Sequence, residues 1–414
     1  MKTLNKSLIL LIIIVIAINL SAFAQTWTEN TPIPTKRWCP VSVTIGDNIY
    51  VIGGQDDGGV SIGTLEIYYP ATDSWETKSS MNEDRWAPMA TVVDGKIYVI
   101  GGMQGTISGN NYDAVNYVEE YNPVTDIWTI KTPMPTARGW GGCGTISGLD
   151  NKIYVIGGFA MTGYLSYDTV EVYTVETDSW SVGLSMPFER DCFMTTQIGD
   201  KIYIMGGYAG PTLTGSVLEF NPVLGTYIEL EGLPIARAFG AATNNNEMVY
   251  VVGGREGNSA AFHEYNPLTN TWGNLIDMPI ARDGLTTSII NDTLFAISGA
   301  EPYMGGSLFD VNESIDYQTT TSIENNSVDH GCKFFNINPN PAKMKTRISI
   351  YIPENVRQAS IIVQDIRGIV YKELQILERG DCSFTIEGLS KGINFCSLII
   401  NGKKVHTERL IVVD

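Results

Sequence analysis

The chain has 414 residues and carries 45 acidic against 27 basic side chains, a formal net charge of −18. This length allows more than one domain, and the acidic excess argues against nucleic acid or an anionic lipid surface as a partner. Six cysteines are too few for a disulfide-based scaffold. We expect those of the repeats described below to be buried apolar side chains, with Cys382 and Cys396 the one pair considered for a disulfide.

Residues 1–24 have the pattern of a secretory signal peptide. Lys2 and Lys6 form the basic start, residues 8–18 are apolar, and Ala22-Phe23-Ala24 is a small-residue cleavage site. The apolar stretch is shorter than the roughly 20 residues that a membrane-spanning helix needs. We therefore predict export, with no transmembrane segment once the signal peptide is removed.

A heptapeptide recurs six times between residues 25 and 315. Lys96–Gly102 reads KIYVIGG, and Lys152–Gly158 repeats it letter for letter. The last glycines of successive copies are 45 to 56 residues apart, a period typical of propellers and other repeat arrays. The looser copies are NIYVIGG, KIYIMGG, MVYVVGG and TLFAISG, at Asn48–Gly54, Lys201–Gly207, Met248–Gly254 and Thr293–Gly299.

Each repeat has the pattern of four short strands. An arginine precedes a first strand of small and apolar residues, and a tight polar turn leads into the KIYVIGG strand, whose β-branched and aromatic residues suit a buried sheet. A third strand ends in Tyr-Asn-Pro or a similar sequence, and a turn then leads to an aromatic residue in the fourth strand. Four antiparallel strands make one propeller blade. The aromatic residues are Trp75, Trp128, Trp180, Tyr227 and Trp272.

The double glycine, the tyrosine before the turn and the tryptophan after it resemble the kelch repeat. The resemblance implies an all-β, six-bladed kelch-type β-propeller over residues 25–315. The sixth repeat has Ser298-Gly299 in place of the double glycine and no aromatic residue for a fourth strand. Trp27 has the same spacing to a pair of prolines, Pro32 and Pro34, as Trp128 has to Pro133 and Pro135. We predict that the N-terminal strand completes the sixth blade, so that the ring has no long free edge.

The C-terminal part changes in composition. Residues 316–334 are rich in Thr, Ser and Asn and are interpreted as a linker, and the alternating segments of residues 335–414 predict a small β-sandwich. Residues 331–414 hold 12 basic and 8 acidic side chains, whereas residues 25–330 hold 13 basic and 37 acidic ones.

This C-terminal segment resembles the type A sorting domain of the bacterial type IX secretion system. The resemblance implies export across the outer membrane by that machinery and a secreted or outer-surface location on a bacterium. One motif departs from the family, because Asn394 stands where a tyrosine is usual. The matching stretches are NPNPA, VQDIRGIVYK, LSKGINF and RLIVV, at residues 338–342, 363–372, 389–395 and 409–413.

We next consider the face of the propeller that should bind a ligand. In antiparallel blades the loops between second and third strands lie on one side, together with the arginine-bearing links; we call this side the loop face. Arginine forks bind carboxylates, and aromatic rings stack on sugars or apolar side chains. The loops span residues 55–62, 103–114, 159–168, 208–215 and 255–260. The predicted ligand-binding residues are Arg37, Trp38, Arg85, Trp86, Arg138, Trp140, Arg190, Asp191, Arg237, Arg282 and Asp283.

A structural role for these residues stays open as the alternative. An arginine that recurs in every repeat can hold the blade together by binding a neighbouring carbonyl or carboxylate, and its aromatic neighbours can pack between blades. His263 occupies a strand position where the first three repeats have glutamate, so we interpret it as structural. No metal or cofactor is predicted. The galactose oxidase family includes secreted kelch-type propellers, but its copper site needs two histidines, and only His263 lies within the repeats of this chain. Asp56-Asp57-Gly58 offers too few oxygen ligands for calcium.

The sequence thus favours a secreted propeller that binds a carbohydrate or a protein and is not an enzyme. The alternative is a sugar-processing enzyme that resembles the six-bladed kelch-like N-acetylneuraminate epimerase. Such a reaction needs a positioned acid or base, and Glu189, Asp191 and Asp283 beside the arginines are the candidates.

Overall fold

The computed structural model divides the chain into two compact units, at residues 1–320 and 321–414. The predicted signal peptide, most of the predicted linker and most of the NPNPA motif lie outside the described residues. Among the described residues there are strands and one 3₁₀ turn at Pro70–Thr72, but no α-helix, and no helix there is long and apolar enough to cross a membrane. The described residues are 26–107, 111–146, 151–303, 306–317, 333–338, 345–353, 356, 358–365, 370–389, 391–400 and 403–412.

Five antiparallel sheets of the first unit are each built from four strands that follow one another in the chain. Sheet one contains β2 (Val41–Ile45), β3 (Asn48–Ile52), β4 (Leu65–Tyr69) and β5 (Ser74–Lys78). Sheet two contains β6 (Met89–Val93), β7 (Lys96–Ile100), β10 (Val118–Asn122) and β11 (Ile127–Ile130). Sheet three contains β12 (Gly142–Ile146), β13 (Lys152–Ile156), β16 (Val170–Thr174) and β17 (Ser179–Val182). Sheet four contains β18 (Met194–Ile198), β19 (Lys201–Met205), β22 (Val217–Asn221) and β23 (Thr226–Leu230). Sheet five contains β24 (Ala241–Asn244), β25 (Val249–Val252), β26 (Phe262–Asn266) and β27 (Thr271–Asn274).

Sheet six joins the two ends of this unit. Its strands are β28 (Thr286–Ile290), β29 (Thr293–Ile297), β30 (Asn312–Asp316) and, from the N-terminus, β1 (Thr28–Glu29), which pairs with β30. Trp27 donates from Nε1 to the carbonyl of Ile276 over 2.9 Å. The fourth-strand aromatic residue of every other sheet makes the same kind of bond to a carbonyl just beyond the fourth strand of the preceding sheet. The N-terminal segment therefore serves sheet six as the fourth strands serve the other five.

The loops between the second and third strands of sheets two, three and four contain short hairpins. These pair β8 (Met103–Thr106) with β9 (Asn111–Ala114), β14 (Phe159–Ala160) with β15 (Leu165–Ser166), and β20 (Tyr208–Ala209) with β21 (Thr212–Leu213).

A closed cycle of six backbone hydrogen bonds links the sheets. One residue before each first strand lies in the left-handed region, with φ between 48° and 57°, which is uncommon for residues other than glycine. The N–H of each donates to the carbonyl of its counterpart before the preceding sheet, and Cys39 returns the cycle to Gly284 over 2.8 Å. The first strands contact one another in the same cyclic order. The six residues are Cys39, Ala87, Trp140, Cys192, Phe239 and Gly284.

The second strand of each sheet is buried on both faces. Side chains of a strand alternate between its two faces; in β7, Ile97 and Val99 enter a core with sheet one, whereas Tyr98 and Ile100 enter a core with sheet three. A strand covered on both faces has a nearly continuous apolar sequence. This is the physical reason for the KIYVI pattern.

The double glycine lets neighbouring sheets approach closely. Gly101 has a φ of 59°, and a Cβ on it would lie 2.4 Å from the carbonyl oxygen of Arg138 in the link to the next sheet. Gly102 donates its N–H to that same carbonyl over 2.9 Å. Ser298 takes the left-handed conformation in sheet six, where Gly299 donates to the carbonyl of Arg37 over 3.1 Å.

The second unit has two antiparallel sheets. The first contains β31 (Lys333–Asn338), β32 (Lys345–Ile352) and β35 (Gly380–Glu387). The second contains β34 (Val370–Ile376), β33 (Ala359–Asp365), β36 (Gly392–Ile400) and β37 (Lys403–Val412). Both contribute to one apolar core that includes Ile350 and Cys382 from one sheet and Ile361 and Cys396 from the other. Cys382 and Cys396 do not form a disulfide bond with each other.

Candidate functional site

The six repeated arginines lie inside the sheets, each at most 1% exposed. Arg85 pairs with Glu119 over 2.7 Å, and Arg282 pairs with Glu313 over 2.7 Å. Arg37 and Arg138 form the equivalent pairs in sheets one and three, with Glu66 and Glu171. The guanidinium groups also donate to main-chain carbonyls beside the second and third strands. These contacts give the arginines the structural role that the sequence left open, and their guanidinium groups do not reach the loop-face surface.

Sheets four and five hold the same arginine without a carboxylate. Arg190 bonds to the carbonyl and the hydroxyl of Ser216, and Leu218 occupies the register position of the glutamates. Arg237 contacts Nδ1 of His263, which occupies that position in sheet five. Burial, with the nearby charge of Arg237, lowers the pKa of His263 to about 4. His263 is therefore a neutral hydrogen-bond acceptor for Arg237 at neutral pH, a structural role.

The three predicted tryptophans pack against one another and against Phe239. The ring centroids of Trp38 and Trp86 are 5.2 Å apart, and those of Trp86 and Trp140 are 4.9 Å apart. Phe239 completes the group at 5.9 Å from both Trp140 and Trp38. Trp86 is fully buried and Trp38 is 6% exposed. The four rings form one aromatic cluster, and they come from the links before sheets one, two, three and five. Most of the ring surface that could stack on a ligand is therefore already covered.

Asp191 and Asp283 lie at the base of the loop face and are also buried. Asp283 accepts hydrogen bonds from Trp38 Nε1 at 2.7 Å and from Arg255 Nε at 2.5 Å. Asp191 accepts a bond from the hydroxyl of Ser166. Burial raises the pKa of both carboxyl groups, against the opposing effect of these hydrogen bonds. Both carboxylates are engaged by protein groups, Asp283 at 0% and Asp191 at 6% exposure.

A cavity of about 270 Å³ opens on the loop face between sheets one, two, five and six. Of the predicted residues only Trp38 lines it, and Asp283 lies behind it. The lining residues are Trp38, Gln55, Asp56, Asp57, Gly59, Ile107, Arg255, Ala300, Tyr303, Gly306, Ser307 and Leu308.

Arg255 is a candidate functional residue that could not be singled out from the sequence by its periodicity. Its guanidinium lies 4.7 Å from the ring centre of Phe239 and 5.7 Å from that of Trp38, and Asp283 fixes its Nε. Its side chain is 13% exposed, and its two terminal nitrogens have no protein partner within the described part of the chain. A signal for it was present: Arg255 directly follows a double glycine, where the other repeats have uncharged residues. Those residues are Gln55, Met103, Phe159, Tyr208 and Ala300.

This position is geometrically equivalent in all six sheets. The residue after the second glycine forms a β-bridge with the residue after the repeated arginine, as Gln55 does with Trp38 and Arg255 with Ala238. The bridges bring these residues to the base of the loop face. The identity of one side chain per sheet at this position therefore determines the chemistry there.

A second cavity, of about 530 Å³, is lined by the first strands and by the turns that follow them. Its walls carry hydroxyl and amide groups, including those of Thr44, Thr195 and Ser288. Several bond to each other across sheets, such as Ser42 to Ser288 over 3.1 Å and Asn244 to Thr196 over 2.7 Å. These bonds join the first strands of adjacent sheets.

Potential metal ligands are not clustered: the described residues contain no group of three or more His, Cys, Asp or Glu side chains that could hold an ion. In the loop considered for calcium, Asp56 Oδ1 accepts the N–H groups of Gly58 and Val60, over 2.9 and 3.0 Å. This carboxylate shapes its own turn, a common role of aspartate.

Comparison with known proteins identifies the repeats. The family model described as the Kelch motif matches residues 37–82, 90–135 and 142–187. The chain is 32% identical over 160 residues to Kelch-like protein terF of Aspergillus terreus, 34% over 179 residues to Kelch-like protein 26 of Danio rerio, and 30% over 190 residues to Beta-scruin of Limulus polyphemus. These alignments cover 36%, 39% and 44% of this chain, and 34%, 26% and 20% of those proteins. The chain thus spans about a third or less of the length of these relatives.

A solved structure titled "Structure of YjhT" is similar in fold. Its TM-score is 0.59 at 17% sequence identity, over 68% of this chain and 95% of that one. At this identity the similarity concerns the fold alone. The chain therefore contains kelch repeats, and its first unit is a kelch-repeat propeller.

Proposed function

We propose that the protein is an exported kelch propeller whose loop face binds a carbohydrate or a protein. The observation that carries this proposal is the cavity of about 270 Å³ on that face, where Arg255 presents terminal nitrogens that have no partner among the described residues. Loops on a rigid scaffold are common places for binding groups. A concave site with a few converging polar groups is the usual form of a ligand site.

The proposed propeller has six blades, one for each four-stranded sheet, and the N-terminal strand closes it. The pairing of β1 with β30 and the cyclic backbone hydrogen bonds support this assignment. Removing residues 25–34 would take away the fourth strand of sheet six together with Trp27. We expect the melting temperature of the truncated protein to fall by many degrees, since loss of a large buried aromatic side chain alone costs about 3–5 kcal/mol of unfolding free energy. Unfolding at an unchanged temperature would contradict closure by this strand.

The proposed second unit is a β-sandwich sorting domain that directs export through the type IX system. Its support is the motif resemblance at the C-terminus, the signal pattern of residues 1–24 and the core shared by two sheets. The proposed location is the outer surface or the medium of a bacterium. Deleting residues 335–414 should leave the propeller in the periplasm, as measured by fractionation. Equal amounts of full-length and truncated protein outside the cell would contradict the sorting role.

A binding module is favoured over a sugar-processing enzyme by the state of the candidate acids. Asp191 and Asp283 are buried and bonded to protein groups, whereas a general acid or base must reach the substrate. Glu189, the third candidate, is exposed but does not line the loop-face cavity. The proposal therefore assigns the carboxylates of Asp191 and Asp283 to positioning of the loop face.

Binding by the loop face can be tested by filling the cavity. Ser307 is an exposed residue of its lining, so Ser307→Trp should block the cavity without disturbing a core. The purified full-length protein would be screened against a glycan array and cross-linked to proteins of the bacterial surface and medium. Ser179→Trp makes the same change at an exposed position of β17, outside the cavity. We expect Ser307→Trp to abolish the binding and Ser179→Trp to preserve it; equal binding by both variants would contradict the proposed face.

A further inference from the structure

The base of the loop-face cavity presents hydrogen-bond donors. Arg255 contributes its terminal guanidinium nitrogens, and Gln55, which is 5% exposed, contributes an amide nitrogen. Gln55 Nε2 is buried and has no hydrogen-bond partner among the residues that the structure describes. A buried donor that has no partner is energetically unfavourable. A ligand that carries acceptors in this cavity would offer partners to these donors.

The charges around the cavity disfavour an anionic ligand. Arg255 is the one cation among the described lining residues, and Asp283 pairs with it over 2.5 Å. Asp56 and the exposed Asp57 also line the cavity, and the whole chain carries a net charge of −18. The electrostatic potential in the cavity is therefore negative, and the walls of the cavity would repel a carboxylate. This argues against the carboxylate ligand that arginine forks alone would favour.

The same groups match an uncharged ligand that is rich in hydroxyls. A hydroxyl both accepts and donates, so it can accept from Arg255 and Gln55 at the base and donate to Asp57 at the rim. Tyr303 lies at the rim with 56% of its surface exposed, and an exposed aromatic ring packs well against the C–H face of a sugar. The cavity, at about 270 Å³, is slightly smaller than the roughly 300–1,000 Å³ of drug-sized sites, a size suited to one sugar ring.

We infer that the cavity binds one neutral sugar ring of a glycan, with Arg255 and Gln55 as donors, Asp57 as acceptor and Tyr303 as the stacking surface. This inference rests on the proposed function, because it names the ligand class of the same loop face. A protein ligand fits the cavity less well. The negative electrostatic potential of the cavity would repel an acidic side chain, and the guanidinium group of Arg255 would repel a basic one.

The test uses the full-length protein on an array that carries neutral glycans beside sialylated and uronic acid glycans. Affinity for each bound glycan is then measured by titration with the free oligosaccharide. Tyr303→Ala should weaken binding about tenfold or more, the size of effect of a typical aromatic anchor. Tyr164→Ala is the matched control, because Tyr164 is a 74% exposed tyrosine of another loop that does not line the cavity. We expect the control to bind normally and both variants to melt as the unmodified protein does.

The outcomes separate this inference from the proposed function. Binding of neutral glycans that Tyr303→Ala weakens and Tyr164→Ala spares supports the inference. Selective binding of acidic glycans, or binding that Tyr303→Ala leaves unchanged, overturns it. A protein ligand that Ser307→Trp blocks, with no glycan bound, overturns the inference and leaves the proposed function standing. If neither a glycan nor a protein binds the loop face, both fall.

Discussion

Sheets four and five differ from the other four in how they hold the same buried arginine. In sheets one, two, three and six the guanidinium meets a glutamate of the third strand. In sheet four Leu218 occupies that position, and in sheet five His263 does. Arg37 and Arg237 nevertheless donate to equivalent carbonyls, at 3.0 Å from Gly53 and 3.1 Å from Gly253.

This comparison indicates that hydrogen-bond acceptors, mainly main-chain carbonyls, hold the arginine inside the sheet more than a negative charge does. Burial lowers the pKa of Arg37, Arg190 and Arg237 alike to about 10, so each remains protonated at neutral pH. The carbonyls that accept hydrogen bonds from the arginine belong to the glycine-rich bend and to the segment before the third strand. The guanidinium therefore ties together two segments of one sheet.

The largest effect is expected from removing a glutamate where one is present. Glu119→Ala in sheet two would leave Arg85 without its carboxylate and the N–H groups of Asn82 and Glu83 without their acceptor. Loss of one partner of a buried pair costs about 3–5 kcal/mol of unfolding free energy. Urea denaturation measures this loss. Glu76→Ala is the control, because Glu76 forms a solvent-exposed pair with Lys78 and exposed pairs contribute little. Equal losses in the two variants would contradict the importance of the buried pair.

The next largest effect is a loss of unfolding free energy at acidic pH, caused by His263 in sheet five. The pKa of His263 is lowered to about 4 in the folded state by burial and by Arg237, whereas an unfolded histidine has a pKa near 6.5. Because the folded pKa is the lower one, stability is lost as pH falls from about 6.5 towards 4. The loss amounts to roughly 2 kcal/mol by pH 5.

Thermal unfolding between pH 7.5 and pH 5 would measure this loss. His263→Glu is the comparison variant, since it recreates the pair of sheets one, two, three and six. Its stability should fall less over this range, because an ion-paired glutamate titrates below pH 5. Parallel curves for the two proteins would show that His263 does not contribute.

The smallest effect is expected from adding a carboxylate where none is present. Leu218→Glu in sheet four would place a carboxylate at the register position of Glu171, next to Arg190. The new pair should offset most of the lost packing, so we expect a net change below about 2 kcal/mol in unfolding free energy. A double-mutant cycle with Arg190→Met should then give a coupling energy of about 1–3 kcal/mol.

Leu65→Glu is the control for that experiment. Leu65 is a fully buried residue of the third strand of sheet one, at the register position before Glu66, and a glutamate there would have no arginine to meet. It should prevent folding, because an unpaired charge is buried. Similar damage from both substitutions would show that Arg190 does not accept a carboxylate.

Much of the fold could be predicted from the sequence because its causes are local. The apolar run of Lys96–Gly102 reflects a strand covered on both faces, and its glycines reflect a backbone contact that excludes a side chain. This pattern recurs along the chain, so the kelch repeats were predicted from their motif and spacing, and the match to the Kelch motif model confirms three of the six, at residues 37–82, 90–135 and 142–187. The hairpins in the loops of sheets two, three and four were not predicted, since short strands of variable sequence repeat no pattern.

The candidate site was less predictable, because residues far apart in the chain build it. Trp38 and Asp283 bond although 245 residues separate them. Arg255 occurs once, so periodicity could not single it out, and the repeated arginines attracted attention although they serve the sheets. The sequence by itself determined the repeat, its strands and its buried alternation, since these follow from local sterics and side-chain polarity. Only the tertiary structure decided which rings cover each other and which cation faces a cavity, because both depend on the contacts between different sheets.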